Sequence, residues 1–425
     1  MKIGIIGAGY TGLAAGITLA AAGHRVTILE KEALPGGLAA GFQDESWSWP
    51  LERHYHHVFA SDRVFLDYAD TIKSEVSYHR PITSTLIDGR IEQLDSPLSL
   101  LRFSRMPVVD RLRTGLGLAG LKINPVWQIY ENQTARRLIA SSMGETSWKT
   151  LWEPLFAGKF GPLADQICAS WFWARIHTRT PSLGYPDGGF TAFAKGLDKY
   201  FSALGGRTRY QTGIAKISQT GSAFRLVSQN GHTFEFDRVL CTLPNAYFLN
   251  LFSEFPADYV QNLKFQTGLG AVSLVLALKA GFMDRVYWLN INDRTMPYLA
   301  VVEHTNFISP DHYGGDHILY IGNYLPAGHR FFSFTDKQLL HLFLPHLKKI
   351  NPGFNLTRVR KSWAWKTGFA QPVFYPGAGS RITPFKTPVS GLYLANIQQV
   401  YPWDRGVNYA LDLGNRAAHT VLKSL

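Results

Sequence analysis

Residues 1–30 carry the pattern that most constrains how this chain can fold. Residues 2–6 (KIGII) form a short apolar run, a glycine-rich turn follows at 7–12, and residues 13–22 are rich in Ala and Leu. A second apolar run, RVTILE, occupies residues 25–30. This succession of apolar runs, glycine turn and Ala/Leu-rich segment predicts a strand, a turn, a helix and a second strand. Such a βαβ unit has a right-handed parallel crossover, so an α/β fold is expected.

The glycine-rich turn, GAGYTG, matches the G-x-G-x-x-G sequence that binds the pyrophosphate of a dinucleotide. The first glycine permits a tight turn, the second lets the backbone approach the pyrophosphate, and the third lets helix and strand pack closely. Free N–H groups and the positive end of the helix dipole would face the phosphates. We therefore expect a phosphate cradle made by Gly7, Ala8, Gly9, Tyr10, Thr11 and Gly12.

An acidic residue, Glu30, ends the second predicted strand, and residues 13–29 separate it from Gly12. A carboxylate in this position can accept both hydroxyls of a ribose and disfavours a 2′-phosphate, so NADP is not the expected ligand. The same glycine pattern recurs at 115–120 (GLGLAG), but no strand precedes it and no acid follows. We interpret that second match as a surface for helix packing.

Composition limits the partners of this chain. Lys and Arg number 43 against 31 Asp and Glu, a net charge of +12 that favours an anionic partner. The basic residues are scattered rather than arranged in a stripe, so no nucleic-acid partner is expected. No uninterrupted apolar run approaches the roughly 18 residues of a spanning helix, which leaves peripheral membrane contact at most.

Two cysteines, Cys168 and Cys241, are too few for a disulfide framework. A reducing compartment fits this composition best. We therefore expect a cytoplasmic protein, with peripheral association to a membrane as the alternative that its charge leaves open.

Periodicity and turn residues predict further elements along the chain. A hairpin is expected at 81–93 around Asp88 and Gly89. Helices are predicted at 110–122, 130–143, 190–204, 336–349 and 406–425, and strands at 207–217, 224–227, 233–243, 271–279, 298–303, 317–323 and 391–395.

The segment after Glu30, EKEALPGGL, places two glycines shortly behind the acid. Here the sequence resembles the large FAD superfamily that includes amine oxidases, protoporphyrinogen oxidases, phytoene desaturases and UDP-galactopyranose mutases. Further segments that resemble this superfamily, in the same order, are 185–190 (YPDGGF), 205–217, 237–244 (DRVLCTLP), 391–396 (GLYLAN) and 404–410 (DRGVNYA).

The resemblance implies a discontinuous Rossmann-like FAD-binding domain built from residues 1–75, 185–245 and 361–425. A second, α+β domain for substrate would comprise 76–184 and 246–360. Because the C-terminal segment contains no Cys, noncovalent FAD is expected. Leu38 stands where the superfamily often has Arg, which puts an arginine contact to the flavin in doubt. Besides the cradle and Glu30, the residues implied to lie near FAD are Lys31, Gly36, Gly37, Leu38, Ile214, Asp404, Gly406 and Val407.

Two histidines, His56 and His57, are candidates over the flavin, because His57-Val58-Phe59 resembles a His-x-Phe element of galactopyranose mutases. Zinc is a weaker alternative, since no cysteine or carboxylate spacing completes a recognisable site, and no metal is expected. Ordinary hydrogen-bonded histidines remain the other interpretation.

Basic residues within aromatic segments, Lys159, Arg175 and Arg405, complete the candidate catalytic set. Lys159 is suited to polarising a water on the flavin or holding a substrate anion, and Arg175 to pairing with a carboxylate or phosphate. The alternative is a core aromatic layer in which Lys159 caps carbonyls and Arg175 forms an internal ion pair. Arg405 has the same two interpretations.

The function expected from the resemblance is transfer of a hydride from an organic small molecule, anionic or lipophilic, to FAD. Amines, porphyrinogens and unsaturated isoprenoids all fall within it, and the sequence selects none of them. A flavin-dependent isomerase of nucleotide sugars, similar to UDP-galactopyranose mutase, is the first alternative. A flavin-binding protein without catalysis is the second. The sequence leaves the oligomeric state undetermined.

Overall fold

A five-stranded parallel sheet carries the glycine-rich turn. The computed structural model describes residues 1–425. Ile3 of the first strand pairs with Val26 on one side and with Arg238 on the other. Its strands come from three distant parts of the chain, so the sheet is assembled from the beginning, the middle and the end. Their spatial order is Arg207–Arg209, Arg25–Leu29, Lys2–Ile6, Arg238–Cys241 and Leu392–Leu394.

Three helices, Tyr10–Ala21, Gly189–Ala203 and Val407–Leu422, pack together beside this sheet. Gly414 lets the last helix meet the first backbone to backbone, because a Cβ there would lie 2.3 Å from the carbonyl oxygen of Thr11. Leu13 and Leu411 are fully buried in the resulting core. The C-terminal helix is thereby fixed against the helix that follows the glycine turn.

The stretch predicted as one strand at 207–217 is divided in the structure. Arg207–Arg209 joins the parallel sheet, whereas Ile214–Thr220 starts a separate antiparallel sheet with Ala223–Ser228 and Thr233–Phe236. Between the two strands, Gln211 has a φ of 52°, which breaks the extended backbone.

A seven-stranded sheet forms the other half of the molecule. Its neighbours are antiparallel except for the parallel pair Val286–Ile291 and Ile82–Ile87. Residues 361–372, which the sequence assigned with 373–425 to the FAD-binding domain, lie instead in this sheet, since Trp365 pairs with Ser273. The spatial order is Val359–Pro372, Gly268–Leu278, His317–Leu325, Ala300–Glu303, Val286–Ile291, Ile82–Ile87 and Arg90–Gln93.

The remaining strands are short. The predicted hairpin is confirmed, with Asp88 and Gly89 at φ values of 48° and 73° between strands Ile82–Ile87 and Arg90–Gln93. The other short strands form two small antiparallel sheets: Gly41–Phe42 with Leu51–Glu52, and Val58–Phe59, Leu183–Pro186 and Val76–His79.

Most other helices lie between strands of the seven-stranded sheet in sequence. Side-chain caps define their starts: Thr134 accepts from the Arg137 N–H, and Ser96 and Ser99 form a capping box. No helix in the chain is long and apolar enough to cross a bilayer. The helices other than the three beside the parallel sheet are Arg63–Ile72, Pro97–Arg102, Val108–Ile123, Ala135–Met143, Glu145–Ser147, Glu153–Phe160, Ala169–His177, Asn245–Leu251, Ala257–Phe265 and Asp336–Ile350, with one π turn at Trp148–Trp152.

Candidate active site

The glycine turn has the geometry that a phosphate cradle needs. Gly7 has a φ of 104°, a backbone conformation that glycine adopts readily and other residues rarely do. Its N–H donates to the Leu29 carbonyl at 2.9 Å. A Cβ on Gly12 would lie 2.0 Å from the Gly7 oxygen. No larger residue fits at Gly12 without moving helix and strand apart. Ala8, Tyr10 and Thr11 are buried around this turn.

The second glycine pair lies directly against the first turn. Gly36 donates its N–H to the Ala8 carbonyl at 2.9 Å, and a Cβ on Gly37 would lie 3.1 Å from the Gly9 Cα. Gly37 is exposed and Leu38 is half-buried. The two backbones form a groove without side chains, and such a groove fits a dinucleotide whose pyrophosphate must approach main-chain N–H groups.

Glu30 is buried at the end of its strand, with an exposed fraction of 7%. One carboxylate oxygen accepts from the Ala8 N–H at 2.6 Å and the other from the Glu32 N–H at 2.9 Å. Each oxygen keeps a lone pair with which to accept a ribose hydroxyl. Lys31 points to solvent beside Glu32, whereas Ile214 is buried.

Three histidines of the segment 54–57 are held in an interior that keeps them neutral. His54 lies between the hydroxyls of Ser273 and Thr367, at 2.8 and 3.1 Å. His56 donates from Nδ1 to the His54 carbonyl at 2.6 Å, and His57 Nδ1 lies 3.3 Å from the Tyr287 hydroxyl.

Burial shifts the pKa values of two of these histidines. Burial lowers the pKa of His56 to about 4 and that of His57 to about 3. Both side chains nevertheless keep part of their surface uncovered. The two rings are therefore desolvated by the surrounding protein but not fully covered by it.

A cluster of charges forms on the other elements of the site. Arg175 donates to Asp404 at 2.7 Å, and the indole N–H of Trp171 reaches the same carboxylate at 3.2 Å. Burial alone would raise the pKa of Asp404, but the nearby Lys159 and Arg175 lower it to about 2. The ion pair that the sequence left as an alternative for Arg175 is therefore present.

Lys159 is buried over aromatic rings rather than bonded to carbonyls. Its Nζ lies 4.6 Å from the centre of the Trp171 ring and 5.4 Å from that of Tyr324. Burial lowers its pKa well below the ordinary value, and Asp404 opposes that shift only in part. Capping of carbonyls by Lys159 was thus the wrong alternative.

Arg405 closes the cluster from the C-terminal loop. It donates to Gln371 at 3.0 Å and to the hydroxyl of Tyr324, and burial lowers its pKa to about 10. Besides burial, the charge of Arg405 lowers the pKa of His56, so the basic cluster acts electrostatically on the histidine segment.

The residues around the start of the last helix include three that the resemblance implied to lie near FAD, Asp404, Gly406 and Val407. Gly406, not Asp404, directly precedes the helix Val407–Leu422, and the Asp404 side chain turns to Arg175 and Trp171. The Asp404 carboxylate is therefore held in an ion pair rather than at the helix N-terminus. Gly406 is exposed and Val407 buried, and the first N–H groups of the helix have no partner within the helix.

Two members of the site were missed from the sequence. Tyr324, beneath both Lys159 and Arg405, lies in a strand with no distinguishing motif. Arg179 lies close enough to Arg175 and Asp404 for their charges to shift its pKa. Its spacing of four residues from Arg175 was the one available signal.

Two desaturases are similar to the chain in sequence. A phytoene desaturase (lycopene-forming) of Pantoea ananas is 24% identical over 307 residues, which are 62% of this chain and 60% of that protein. A 4,4'-diapophytoene desaturase (4,4'-diaponeurosporene-forming) of Staphylococcus haemolyticus is 40% identical over 78 residues, 16% of each chain. The chain thus spans less than two thirds of either desaturase.

Solved structures share the fold over almost all of the chain. A protein of Exiguobacterium sp. 255-15, provisionally a protoporphyrinogen oxidase, has a TM-score of 0.79 at 16% identity and covers 100% of this chain and 99% of its own. Reduced UDP-galactopyranose mutase has a TM-score of 0.76 at 15% sequence identity, and the match covers 99% of this chain and 95% of that protein. Putrescine oxidase bound to putrescine has a TM-score of 0.76 at 15% sequence identity, and the match covers 100% of this chain and 99% of that protein.

The family assignment rests on nearly the full length of the chain. Residues 10–422 match flavin containing amine oxidoreductases, from the glycine turn to the end of the C-terminal helix. The cofactor of this family is a flavin, and the Gly7–Gly12 turn, the Gly36–Gly37 pair and buried Glu30 suit it. The chain therefore belongs to the flavin containing amine oxidoreductase family.

Proposed function

We propose that the protein binds FAD noncovalently and uses it to take a hydride from an organic small molecule. The observation that carries this proposal is the groove between the Gly7–Gly12 turn and the Gly36–Gly37 pair, with Glu30 buried beside it. The substrate would occupy a cavity between the neutral histidines and the basic cluster of Lys159, Arg175 and Arg405. A dinucleotide laid along the glycine groove leads toward the N-terminus of the helix Val407–Leu422. That helix is packed on the first one through Gly414.

FAD supplies the redox chemistry, and the protein must position the substrate and control its protons. His56 and His57 are uncharged at neutral pH, because their pKa values are lowered to about 4 and 3. They can accept a hydrogen bond or a proton without first losing one. Burial lowers the pKa of Lys159 well below its ordinary value, so its Nζ releases a proton more readily than a solvated lysine does.

The substrate proposed for this cavity carries negative charge. The charged groups within the protein that act on Lys159 are one carboxylate, Asp404, and two arginines, Arg175 and Arg405, while the exposed Arg179 acts from the surface. Cations in excess over carboxylates inside a protein are costly unless an anion joins them. A carboxylate or phosphate on an otherwise apolar molecule fits both this charge and the aromatic walls. Presentation of such an amphipathic substrate at a membrane surface belongs to the same proposal.

The test begins with the purified protein and its visible spectrum. We expect a yellow protein that releases intact FAD on denaturation, as noncovalent binding requires. Candidate amphipathic anions are then added without oxygen, and bleaching of the flavin identifies those that transfer a hydride. A colourless protein that fails to take up added FAD would contradict the cofactor assignment.

The nucleotide-sugar alternative needs its own arm of the experiment. Chemically reduced protein is mixed with a UDP-sugar, and the sugar is examined for a change of ring form. Isomerisation without net electron transfer would show that the flavin serves a non-redox reaction here. If FAD is bound but neither arm shows turnover with any ligand, the noncatalytic alternative is favoured.

A further inference from the structure

The helix Val108–Ile123 exposes apolar residues on the face where a water-facing helix carries polar ones. The apolar stripe consists of Val109, Leu112, Leu116 and Ile123, with exposed fractions of 74%, 51%, 76% and 79%. Spacings of three, four and seven residues place them on one side of the helix. The other side is already used for packing, since Thr114 and Leu121 are buried there.

The second glycine pattern, at 115–120, lies partly on the packed face of this helix and partly on its exposed face. A Cβ on Gly117 would lie 2.6 Å from Met143, so this glycine serves the helix packing that the sequence predicted. Gly120 has open space around it, and Leu116 projects into solvent. The packing interpretation is therefore right for Gly117 and wrong for Gly120.

Neighbouring segments extend the apolar stripe into a larger surface. The helix Pro97–Arg102 packs beside Gly115 through Leu100, and its Leu98 and Leu101 are exposed. Nine of the seventeen exposed large apolar side chains of the protein lie between positions 98 and 129. Such clustering marks an interaction surface rather than scattered exposure. The nine are Leu98, Leu101, Val108, Val109, Leu112, Leu116, Ile123, Val126 and Ile129.

The charge of this surface selects the partner. Residues 97–130 contain five basic side chains and one acidic side chain, Asp110. Arg102, Arg113 and Lys122 are exposed, at the ends and along the side of the apolar stripe. Apolar residues beside arginine and lysine, on a helix that is not apolar enough to cross a bilayer, fit the interface of a membrane with anionic lipids. The five basic residues are Arg102, Arg105, Arg111, Arg113 and Lys122.

The surface is joined to the candidate active site by direct bonds. Lys122 donates to the carbonyl of His177 at 2.8 Å and also to that of Arg179, and the indole of Trp173 donates to the Asn124 carbonyl at 2.8 Å. These partners continue the helix that carries Arg175. A recess of about 340 Å³ opens here, lined by Ser61, Arg63, Val64, His177, Thr178, Trp403, Asn408 and Tyr409.

We infer that the surface formed by residues 97–129 docks the protein on an anionic bilayer, with the apolar stripe below the headgroups and the exposed Arg102 and Arg113 among the phosphates. The recess beside His177 then opens close to the lipid. This inference concerns binding alone and holds whether or not the proposed hydride transfer is correct.

Co-sedimentation of the full-length protein with vesicles tests the inference. We expect binding to vesicles of phosphatidylcholine with phosphatidylglycerol, weaker binding to phosphatidylcholine alone, and weakening of the former by salt. The double variant Leu116→Asp/Ile123→Asp should lose at least roughly tenfold in partition, because two apolar contacts are replaced by charges. The matched control, Tyr247→Asp/Leu356→Asp, changes two exposed apolar residues elsewhere and should bind as wild type does.

Both variants alter exposed side chains, and unchanged melting temperature and flavin content confirm that they fold. Absence of wild-type binding to either vesicle overturns the inference, and so does a Leu116→Asp/Ile123→Asp variant that binds as well as wild type. Light scattering addresses the other occupant, a second copy of the chain. A wild-type dimer that this variant converts to a monomer, with no vesicle binding by either, would assign the surface to self-association.

Discussion

Arg175 and Asp404, 229 positions apart in the sequence, are joined by a hydrogen bond of 2.7 Å between guanidinium and carboxylate. This contact ties the helix Ala169–His177 to the loop before the C-terminal helix. It also sets the ionisation of Asp404, whose pKa Arg175 and Lys159 hold at about 2.

We predict that Arg175→Ala weakens both this link and the substrate site. The variant should lose at least roughly tenfold in kcat/KM for an anionic substrate, since a charged partner is removed. Steady-state kinetics at several salt concentrations measure the effect. Arg416→Ala is the control, because the Arg416–Asp412 pair is exposed and its loss should change activity little. Equal losses in both variants would show that Arg175 does not act in the site.

The same variant should change the acid limit of stability. The pKa of Asp404 is lower in the folded protein than the ordinary 3.8, so its stabilising effect is present above pH 3.8 and is lost as the pH falls toward 2. Removal of Arg175 raises the folded-state pKa and reduces that contribution. Unfolding followed against pH should therefore show Arg175→Ala losing stability at a higher pH than wild type.

Lys159→Met is predicted to stabilise the fold while it impairs the reaction. The ammonium is buried over Trp171 and Tyr324, and Met has a similar length without the cost of desolvation. We expect a gain of about 1–3 kcal/mol in the free energy of unfolding and a marked loss of kcat. Denaturant titration and turnover measure the two effects. Lys149→Met, at an exposed lysine, is the control and should change neither. A Lys159→Met variant with full activity would remove Lys159 from the catalytic set.

Two glycines that occupy the last position of the same sequence pattern should respond oppositely to alanine. Gly12→Ala places a Cβ 2.0 Å from the Gly7 oxygen, so we expect loss of FAD and destabilisation by about 1–3 kcal/mol. Gly120→Ala meets no atom within 4 Å and should stabilise its helix by roughly 0.5–1 kcal/mol. Flavin absorbance and melting temperature distinguish them. Retention of FAD by Gly12→Ala would contradict the assigned role of the turn.

Glu52 is predicted to make stability fall as the pH rises. Burial raises its pKa from 4.5 to about 7, although its carboxylate accepts from Tyr185 and from the Phe190 N–H. The folded state therefore binds the proton more tightly than the unfolded state. The resulting stability is complete below pH 4.5 and is lost as the pH rises to 7, by up to about 3 kcal/mol.

Glu52→Gln should abolish this dependence, because the amide stays neutral throughout. Denaturant unfolding between pH 4.5 and 7 measures the slope in both proteins. Glu254→Gln, at an exposed carboxyl, should leave the wild-type slope unchanged. An identical slope in Glu52→Gln and wild type would mean that another group is responsible.

The local sequence pattern was sufficient to predict those elements whose structure is determined by residues close together in the sequence. The Gly7–Gly12 turn, Glu30 and the hairpin at Asp88 and Gly89 were predictable, because each depends on residues a few positions away. The strand Val286–Ile291 was missed. Its place between Ile82–Ile87 and Ala300–Glu303 results from pairing with distant segments, which its own composition does not report.

The candidate site was likewise predicted only in part from the sequence. The sequence named His56, His57, Lys159 and Arg175 as candidates, yet it could not choose between a catalytic role and a packing role for any of them. It missed Tyr324, which lies under both Lys159 and Arg405. Contact between a strand residue and two cations from other elements follows from packing alone.

The sequence by itself determined a dinucleotide-binding βαβ unit, because strand period, glycine spacing and the acid at position 30 act within one short stretch of chain. Only the tertiary structure decided that Lys159 is buried over aromatic rings, that Arg175 neutralises Asp404, and that the stripe from Val109 to Ile123 faces outward. The physical reason is that burial and charge pairing are properties of surfaces brought together by folding. The same side chain is a solvated cation or a desolvated one according to what packs beside it.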